Sequence, residues 1–287
     1  MPAPASTPRP LGPAGSARSL LFVPGTTPAR FDKGLASAAD LVVLDLEDAV
    51  PEEHKGSARA AVVDWLSTRG RAAAVRVNGV GSPHHAQDVA ALTGLPGLLA
   101  VVVPMACSPE ALADLHGRLG PAVEIVALVE TATGLLRAAD LARVPGVARL
   151  AFGNLDFAFD IDADVDAESM LLARSTLVLA SRAAGLPGPV DGVTTDLDDP
   201  DAVRDDAVRA RRLGLTGKLC IHPNQLAAVN AAMSPSEDEI TWARQVVDSR
   251  VKGAVRLDGQ MVDAPVVLKA EAILTRAQHL SGNGRDE

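Results

Sequence analysis

Aromatic residues are scarce in this sequence: they make up 2% of its 287 positions, and tyrosine is absent. Proteins that bind single-stranded nucleic acid stack the bases on aromatic side chains, so this composition argues against that class. The formal net charge is −9, and no run of basic residues offsets it. We therefore expect no nucleic acid or membrane partner. Small acidic ligands remain compatible, because a few arginines or a bound metal can override the global charge.

Cysteine is also rare. Cys107 and Cys220 both lie in apolar stretches, and the sequence has no Cys-x-x-Cys pair and no Cys/His zinc pattern. This usage is typical of reduced, buried thiols in a cytoplasmic protein. No apolar run reaches the length of a membrane span. The first 17 residues are rich in Pro, Ala and Ser without a hydrophobic segment, so we predict a disordered tail over 1–17 and no signal peptide.

The most informative stretch that is present is Glu124–Gly134. Its five apolar residues Ile125–Val129 follow one another without a break, as in a parallel strand covered on both faces. Glu130 comes next, where a turn leads into a helix. Ligands bind at this end of parallel strands, and a buried carboxylate there is costly unless it is paired or bound. The alternative is a helix N-cap or a salt-bridged carboxylate.

Eight apolar, β-rich runs alternate with segments of helical periodicity, which predicts a (β/α)8 barrel over residues 18–232. A doubly wound open sheet is the alternative, but no Gly-x-Gly-x-x-Gly follows the first run. The seventh run has the weakest pattern. The predicted strands are Ser19–Val23, Leu41–Leu44, Ala73–Val77, Leu99–Val103, Ile125–Val129, Ala148–Phe152, Val190–Val193 and Lys218–Ile221.

Residues 233–287 exceed what an eight-unit barrel requires. A helix capped by Ser236 is predicted through Val247, because three acidic residues follow the cap at the positive end of the helix dipole. A second helix is predicted over Val266–His279. We expect this C-terminal helical extension either to cap the barrel or to pack as an arm on a neighbouring subunit.

The end of the second strand carries three carboxylates, Asp45, Glu47 and Asp48, within four residues. They repel one another unless cations or hydrogen bonds compensate for their charge. Leu44 and Leu46 alternate with Asp45 and Glu47, which puts the two acids on the face opposite the leucines. In a barrel, that face can be the interior.

Other predicted strands also end in polar groups. Arg76 stands between valines, and its fork suits a carboxylate of the protein or of a substrate. Asp156 follows the sixth strand, and small Gly153 leaves room beside it. The Pro24-Gly25 pair forms either a simple turn or one whose N–H groups face an anion. His222 at the end of the eighth strand is a candidate site residue or a structural histidine.

One arginine and several carboxylates thus converge on one rim, without a zinc-type histidine cluster. Oxygen ligands of this kind select Mg²⁺, with Mn²⁺ as an alternative, and Glu130 and Asp156 are the natural ligand pair. No lysine ends a strand in a position suited to a Schiff base, because Lys218 begins the eighth strand instead. The sequence therefore favours metal-assisted chemistry over a covalent imine.

From about Ser19 to about Leu274 the chain resembles the citrate lyase β-subunit-like family of the HpcH/HpaI aldolase group of (β/α)8 barrels. Each motif alone is weak, whereas the ordered set is specific. The motifs are Phe22–Gly25, Leu44–Val50, Val75–Asn78, Leu128–Thr131, Gly153–Asp156, Ile221–Pro223 and Gly259–Pro265.

The resemblance implies a Mg²⁺-dependent carbon–carbon lyase. It would act on a citramalyl-, malyl- or citryl-type thioester of CoA or an acyl carrier protein and release an acetyl- or propionyl-thioester and a 2-oxo acid. It also implies that Glu130 and Asp156 hold the metal, that Arg76 binds the oxo-acid carboxylate, and that an adjacent subunit of a trimer supplies Asp263. Asp45, Glu47 or Asp263 would carry the proton. The expected substrate contacts are Arg76, Glu130, Phe22, Pro24, Gly25, Asn78 and His222.

The chain departs from the family pattern at two places. Relatives commonly have Pro-Lys-x-Glu-Ser after the fourth strand, where this chain has Met105 and Cys107 in place of the charged pair. Relatives often have Glu-Asp where it has Leu155-Asp156. These changes bear on substrate identity more than on the metal ligands. The alternatives are a metal-dependent aldolase acting on free oxo acids and a non-catalytic thioester-binding barrel.

Overall fold

The computed structural model describes residues 11–282 apart from 198, 252–255 and 258–259, and it divides into two compact units after Asn230. In the first unit, eight parallel strands pair in sequence order, and the eighth pairs with the first. The predicted (β/α)8 barrel is therefore confirmed, and the open sheet is excluded. Within the described residues, no helix is both long and apolar enough to cross a membrane.

Each predicted strand forms, with ends within two or three residues of those expected, because unbroken apolar runs between turns specify buried parallel strands. The strands are β1 (Ser19–Pro24), β2 (Leu41–Asp45), β3 (Ala73–Arg76), β4 (Leu98–Val103), β5 (Glu124–Val129), β6 (Val147–Phe152), β7 (Val190–Asp191) and β8 (Gly217–Cys220). The seventh is the shortest, in line with its weak sequence pattern.

Helix α1 (Pro13–Ser16) precedes β1, and the other helices of this unit follow the strands on the outside of the barrel. They are α2 (Phe31–Leu35), α3 (Lys55–Ser67), α4 (His85–Leu92), α5 (Pro109–Leu119), α6 (Ala132–Leu136), α7 (Ala138–Ala142), α8 (Asn154–Asp160), α9 (Leu171–Ala183), α10 (Pro200–Leu213) and α11 (Leu226–Met233). Short 3-10 turns occupy Pro28–Arg30, Glu52–His54 and Pro223–Gln225.

The barrel interior is filled by every second residue of the strands, since successive side chains of a strand point to opposite faces. These interior side chains form one apolar cluster, in which small alanines lie beside branched side chains, so that side chains from opposite strands interdigitate. Its strand members are Leu20, Leu41, Val43, Ala74, Ala100, Val102, Val126, Leu128, Ala151, Val190 and Leu219, and Ala14 and Ala17 join it from the segment before β1.

The N-terminal end of the barrel is closed by α1, which corrects the prediction of a disordered tail for residues 11–17. Ala14 is fully buried, and its N–H donates to Glu124 Oε2 at 2.8 Å. The buried guanidinium of Arg149 donates to the carbonyls of Ala14 and Ala17. A four-residue helix has little stability of its own, so these tertiary contacts specify it. Residues 1–10 of the predicted tail lie outside the described residues.

The second compact unit begins at Ala231. It contains α12 (Glu237–Val251), a small hairpin of β9 (Arg256–Leu257) and β10 (Gln260–Met261), and α13 (Ala264–Gly282). Both predicted helices form. The predicted cap at Ser236 is confirmed: its Oγ accepts from the Glu239 N–H at 3.2 Å, and Glu239 accepts in return from the Ser236 N–H. Packing of this unit on a neighbouring subunit stays a prediction.

Replacing Arg149 tests the closure of the barrel by α1. Besides Ala14 and Ala17, its guanidinium donates to Gly188 O at 2.9 Å and Thr216 Oγ1 at 2.7 Å. Arg149→Met keeps the apolar stem but removes the donor to the buried carbonyls of Ala14 and Ala17 and to Thr216 Oγ1, whereas Gly188 O keeps its bond from the Thr216 hydroxyl. We expect a loss of about 3 kcal/mol or more in the free energy of unfolding, measured in urea. Arg143→Met, at an exposed arginine, is the control and should stay within about 0.5 kcal/mol. Equal effects would contradict the closure.

Candidate functional site

The interior rows of side chains change from apolar to polar where the strands end. Leu41 and Val43 are followed at the same spacing by Asp45, and Ala74 is followed by Arg76. On β5, Val126 and Leu128 lead in the same way to Glu130. The alternation therefore carries these three charged groups to the C-terminal mouth of the barrel, the end at which barrel enzymes bind ligands. The interior placement predicted for Asp45 is confirmed.

Arg76 is the centre of the charged network at this mouth. Its Nε and Nη2 atoms donate to the two oxygens of Asp45 at 2.7 and 2.6 Å, a bidentate ion pair. Its Nη1 atom lies 2.9 Å from Glu47 Oε2 and 3.1 Å from Asp48 Oδ2. The guanidinium stacks on the Phe22 ring, 4.8 Å from the ring centroid. The sequence left open whether Arg76 binds a carboxylate of the protein or of a substrate; in the structure its partner is a carboxylate of the protein, Asp45.

Asp45 is almost fully buried, and both of its oxygens are already engaged. Besides Arg76, they accept from the N–H groups of Glu47 at 2.9 Å and Ala49 at 3.1 Å. Burial alone would lower the pKa of the Arg76 guanidinium, but its hydrogen bonds with Asp45 and the charges of Glu47 and Asp48 outweigh that effect and raise the pKa. Asp45 therefore anchors Arg76 and fixes the loop after β2.

Glu47 is a different kind of carboxylate from Asp45. Its Oε2 atom is close to Arg76 Nη1, but the N–H does not point at it, so this buried oxygen has no hydrogen bond. Burial raises the pKa of Glu47 to about 7, with contributions from Asp48 and Asp45 that Arg76 only partly offsets. A carboxyl whose pKa lies near neutrality can both take up and release a proton.

Glu130 is buried directly after β5, with 3% of its surface exposed. Its Oε1 atom accepts from the Met105 N–H at 2.6 Å. Met105 has a positive φ of 51°, an unusual conformation for a side-chain-bearing residue. On the other side, a Cβ added at Gly153 would lie 2.3 Å from Glu130 Oε2, so only glycine leaves room for this carboxylate.

Burial is the largest cause that raises the pKa of Glu130, which reaches about 8. The hydrogen bond from the Met105 N–H lowers this pKa, the negative charges of Asp156 and Glu47 raise it, and the positive charge of Arg76 lowers it. The site thus holds more negative charge than Arg76 compensates for. Asp156, exposed in the first turn of α8, is close enough to contribute to this field.

The donor set fits a hard divalent cation. It consists of carboxylate oxygens, including Glu47 Oε2, which has no hydrogen bond, and a cation would relieve their repulsion. Among the described residues, no three His, Cys, Asp or Glu side chains are grouped closely enough to hold a metal by themselves. Mg²⁺ usually takes one or two protein carboxylates and fills the other positions with water and substrate.

Three of the expected substrate contacts have structural roles in this conformation. The Gly25 N–H donates to Asp45 O at 2.8 Å, so the Pro24-Gly25 turn does not offer that group to an anion. Asn78 donates to Asp88 through its main-chain and side-chain nitrogens at 2.9 and 2.7 Å. His222 caps the turn after β8, where its Nδ1 accepts from the Asn224 N–H. Their contact with a substrate stays a prediction.

Asp263 belongs to the second unit and is exposed. Its Oδ1 atom accepts from the Val266 N–H at 3.1 Å, and it caps α13. Its motif Gly259–Pro265 begins at Gly259, which lies outside the described residues.

Two lysines are buried: Lys55, which sequence reasoning did not identify, and Lys218, which it placed at the start of the eighth strand without a partner. Lys55 Nζ donates to the carbonyls of Leu46 and Glu47 at 3.0 and 2.8 Å and so holds the loop that carries the rim acids. Lys218 Nζ donates to Gly192 O at 2.7 Å and lies 3.3 Å from Asp191, which also pairs with Arg174. Nothing in the local pattern separates Lys55 from a solvated lysine, because its partners are main-chain carbonyls. Lys218 lies in the predicted eighth strand, but residue spacing does not reveal its pairing with Asp191.

The pKa of Glu130 leads to a prediction for the metal-free protein. The folded-state pKa of about 8 exceeds the ordinary value of 4.5. Its contribution to stability is therefore complete below pH 4.5 and is lost as the pH rises towards 8. Glu130→Gln has no carboxyl to ionise and so does not undergo this loss. In EDTA, the melting temperature of the variant minus that of wild type should therefore increase from pH 5 to pH 8, by about 2–4 °C for each kcal/mol that wild type loses. Exposed Glu110→Gln is the control. A difference independent of pH would contradict the assignment.

Comparison with known proteins adds independent evidence. The model of the HpcH/HpaI aldolase/citrate lyase family matches residues 18–223, and a model of carbon–carbon bond lyases of the TIM-barrel fold matches residues 193–281. A citrate lyase subunit beta-like protein of Deinococcus radiodurans is 37% identical, over 92% of this chain and 98% of the relative. A (3S)-malyl-CoA thioesterase of Cereibacter sphaeroides is 33% identical, over 93% and 96%.

A solved structure shares the fold over nearly the same range. It is the protein CitE of Mycobacterium tuberculosis in complex with magnesium, acetoacetate and coenzyme A, with 35% identity and a TM-score of 0.80, covering 92% of this chain and 98% of that one. The family match spans the barrel and every rim residue described above, and the relatives are matched over almost their whole length. The chain belongs to the HpcH/HpaI aldolase/citrate lyase family.

Proposed function

We propose that this protein is a Mg²⁺-dependent carbon–carbon lyase that acts on a 3-hydroxyacyl thioester of CoA and releases an acetyl- or propionyl-thioester and a 2-oxo acid. The observation that carries the proposal is the Glu130 carboxylate, buried at the C-terminal mouth of the barrel within the electrostatic range of Asp156, Glu47 and Arg76. Relatives that are named for malyl-CoA, or that bind magnesium and coenzyme A, support the choice of metal and thioester.

Glu130 and Asp156 would hold the metal, for which Mn²⁺ is an alternative because it prefers the same oxygen donors. When bound, Mg²⁺ supplies a Lewis acid that polarises the substrate oxygens and lowers the pKa of a coordinated hydroxyl group. The Met105 N–H and Gly153 keep the Glu130 carboxylate in its place between β4 and β6.

Arg76 is assigned to the carboxylate of the oxo-acid part of the substrate. Asp45 occupies Nε and Nη2, so the Nη1 edge, shared with Glu47 and Asp48, is the part available for a substrate carboxylate. A substrate anion there would take the place of the weakly bound Asp48, whose side chain is 65% exposed.

In the cleavage direction, a base removes the proton of the 3-hydroxyl group. The bond between C2 and C3 then breaks, the oxygen on C3 becomes the oxo group, and the electron pair passes to the thioester enolate, which takes up a proton at C2. Glu47 suits proton uptake because its pKa is about 7. Asp45 is assigned to positioning, since its oxygens are fully engaged. Asp263 of a neighbouring subunit is the alternative candidate for removing or relaying the hydroxyl proton.

The proposal includes a homotrimer in the cytoplasm, with CoA as the thioester carrier and acyl carrier protein as the alternative. Phe22, Pro24 and Gly25 at the end of β1 border the Arg76 network and are proposed to contact the substrate, together with Asn78 and His222. The trimer rests on the family resemblance, in which the residue that matches Asp263 comes from an adjacent subunit.

The direct test is release of a 2-oxo acid from citramalyl-CoA, malyl-CoA and citryl-CoA. We expect Mg²⁺-dependent release from at least one, abolished by EDTA and reduced at least about 100-fold by Glu130→Gln, since one metal ligand is lost. Exposed Glu110→Gln is the matched control. Turnover that survives EDTA would contradict a metal-dependent lyase. Activity on free oxo acids and aldehydes alone would favour the aldolase, and metal binding without turnover would favour a non-catalytic barrel.

The role of Asp263 is tested by mixing subunits. Glu130→Gln and Asp263→Asn chains should each be inactive, but co-expressed with different tags they should regain up to about a quarter of wild-type activity, because random assembly places an intact Glu130 beside a partner's intact Asp263 in one site of four. Both tags must be present in the purified oligomer. No recovery in such a mixed oligomer would show that Asp263 acts within its own chain or not at all.

A further inference from the structure

A cavity of about 650 Å³ lies beside the candidate site, between the loops that follow β2, β3 and β4. Glu47, Asp48 and Glu52 come from the first loop, Val80 from the second and Cys107 from the third. Its volume is in the range of pockets that bind small molecules. The cavity is joined to the Arg76 network through Glu47, which lines it and lies 2.9 Å from Arg76.

Negative charge dominates the part of the cavity nearest the site. Three carboxylates line it, and in the described part of the chain the one cationic residue among its lining residues is Lys55. Lys55 is buried, and its Nζ already donates to the carbonyls of Leu46 and Glu47. Arg76, which lies beside Glu47 and Asp48, already holds one substrate carboxylate in the proposed function. A second carboxylate entering this cavity would therefore meet like charges without a further lining cation to bind it.

The opposite side of the cavity is apolar. Val80 and Met105, 48% and 47% exposed, face solvent beside buried Val103, Ala106 and Leu112. Cys107 and Ala111 complete this wall with small side chains. Exposed apolar side chains gathered in a concave surface are typical of a site for an apolar group. Apart from Val80, the wall is formed by the end of β4, the loop in which this chain has Met105 and Cys107, and the start of α5.

We infer that this cavity receives the substituent on C3 of the substrate and selects an uncharged alkyl group there over a carboxymethyl group. The inference rests on the proposed function, in which Arg76 holds the carboxylate attached to the same C3 atom. Glu47 borders both the Arg76 network and the cavity. A substituent on C3, the atom that bears the carboxylate held by Arg76, can therefore enter the cavity. The preferred oxo acid would then be pyruvate or a longer 2-oxo monocarboxylate, and the dicarboxylate oxaloacetate would be disfavoured.

The first test compares 2-oxo acids in the condensation direction with acetyl-CoA and Mg²⁺. We expect kcat/KM of the wild type for pyruvate or 2-oxobutyrate to exceed that for oxaloacetate about tenfold or more, the scale on which one substituent is discriminated. Calorimetric dissociation constants of the same oxo acids for the Mg²⁺-loaded protein should have the same order. This second readout needs no turnover, so an inactive protein would count against the proposed function while the binding order still decides the inference.

Variants of the wall test where the discrimination arises. Val80→Lys places a cation in the cavity and should shift the preference towards oxaloacetate about tenfold. Val80→Gln, similar in length but neutral, and Leu136→Lys, at an 88% exposed position outside the cavity, should leave the preference unchanged. Ala111→Leu should lower activity with 2-oxobutyrate more than with glyoxylate, because it fills the apolar wall.

Two results would overturn the inference. One is a wild-type preference for oxaloacetate in both turnover and binding. The other is a change in KM for acetyl-CoA in Val80→Lys and Ala111→Leu while the order of kcat/KM among the oxo acids stays the same. That result would assign the cavity to the thioester chain instead.

Discussion

The bidentate pair of Arg76 with Asp45 is the interaction on which the mouth of the barrel depends. Asp45 is buried, and without the guanidinium its charge would be left uncompensated, which costs several kcal/mol in proteins (about 3–5). The same carboxylate accepts from the N–H groups of Glu47 and Ala49 and thereby sets the path of the loop after β2. The ion pair thus determines where Glu47 stands, and with it one border of the cavity beside the site.

One guanidinium is nevertheless not enough for all the carboxylates at this mouth. Arg76 lowers the pKa of Glu130 and of Glu47, yet burial and mutual repulsion keep them at about 8 and about 7. At neutral pH, the metal-free protein therefore keeps a proton on Glu130 and on part of its Glu47. This is the electrostatic condition in which a divalent cation, with its higher charge, competes well with protons for the same oxygens.

Much of this arrangement was predictable from the sequence because the barrel obeys simple rules. Unbroken apolar runs gave the strands, and the period of two along β2 placed Asp45 inside. The short α1 was missed, since its stability comes from Arg149 and Glu124, which lie more than 100 residues away along the chain. Whether Arg76 pairs with Asp45 or stays open for a ligand also depended on side-chain geometry, which residue spacing does not contain.

The burial of Glu130 has two opposite consequences that share one cause. Removal from water makes the ionised carboxylate unfavourable, so raising the pH destabilises the metal-free fold. The same low-dielectric surroundings strengthen the attraction of the ionised form for a cation, so raising the pH favours the loaded form. Gly153 and the Met105 N–H hold the group in these surroundings at a cost, including the left-handed backbone of Met105. A cation that binds at Glu130 would therefore stabilise the barrel mouth most in the pH range where the metal-free protein is weakest.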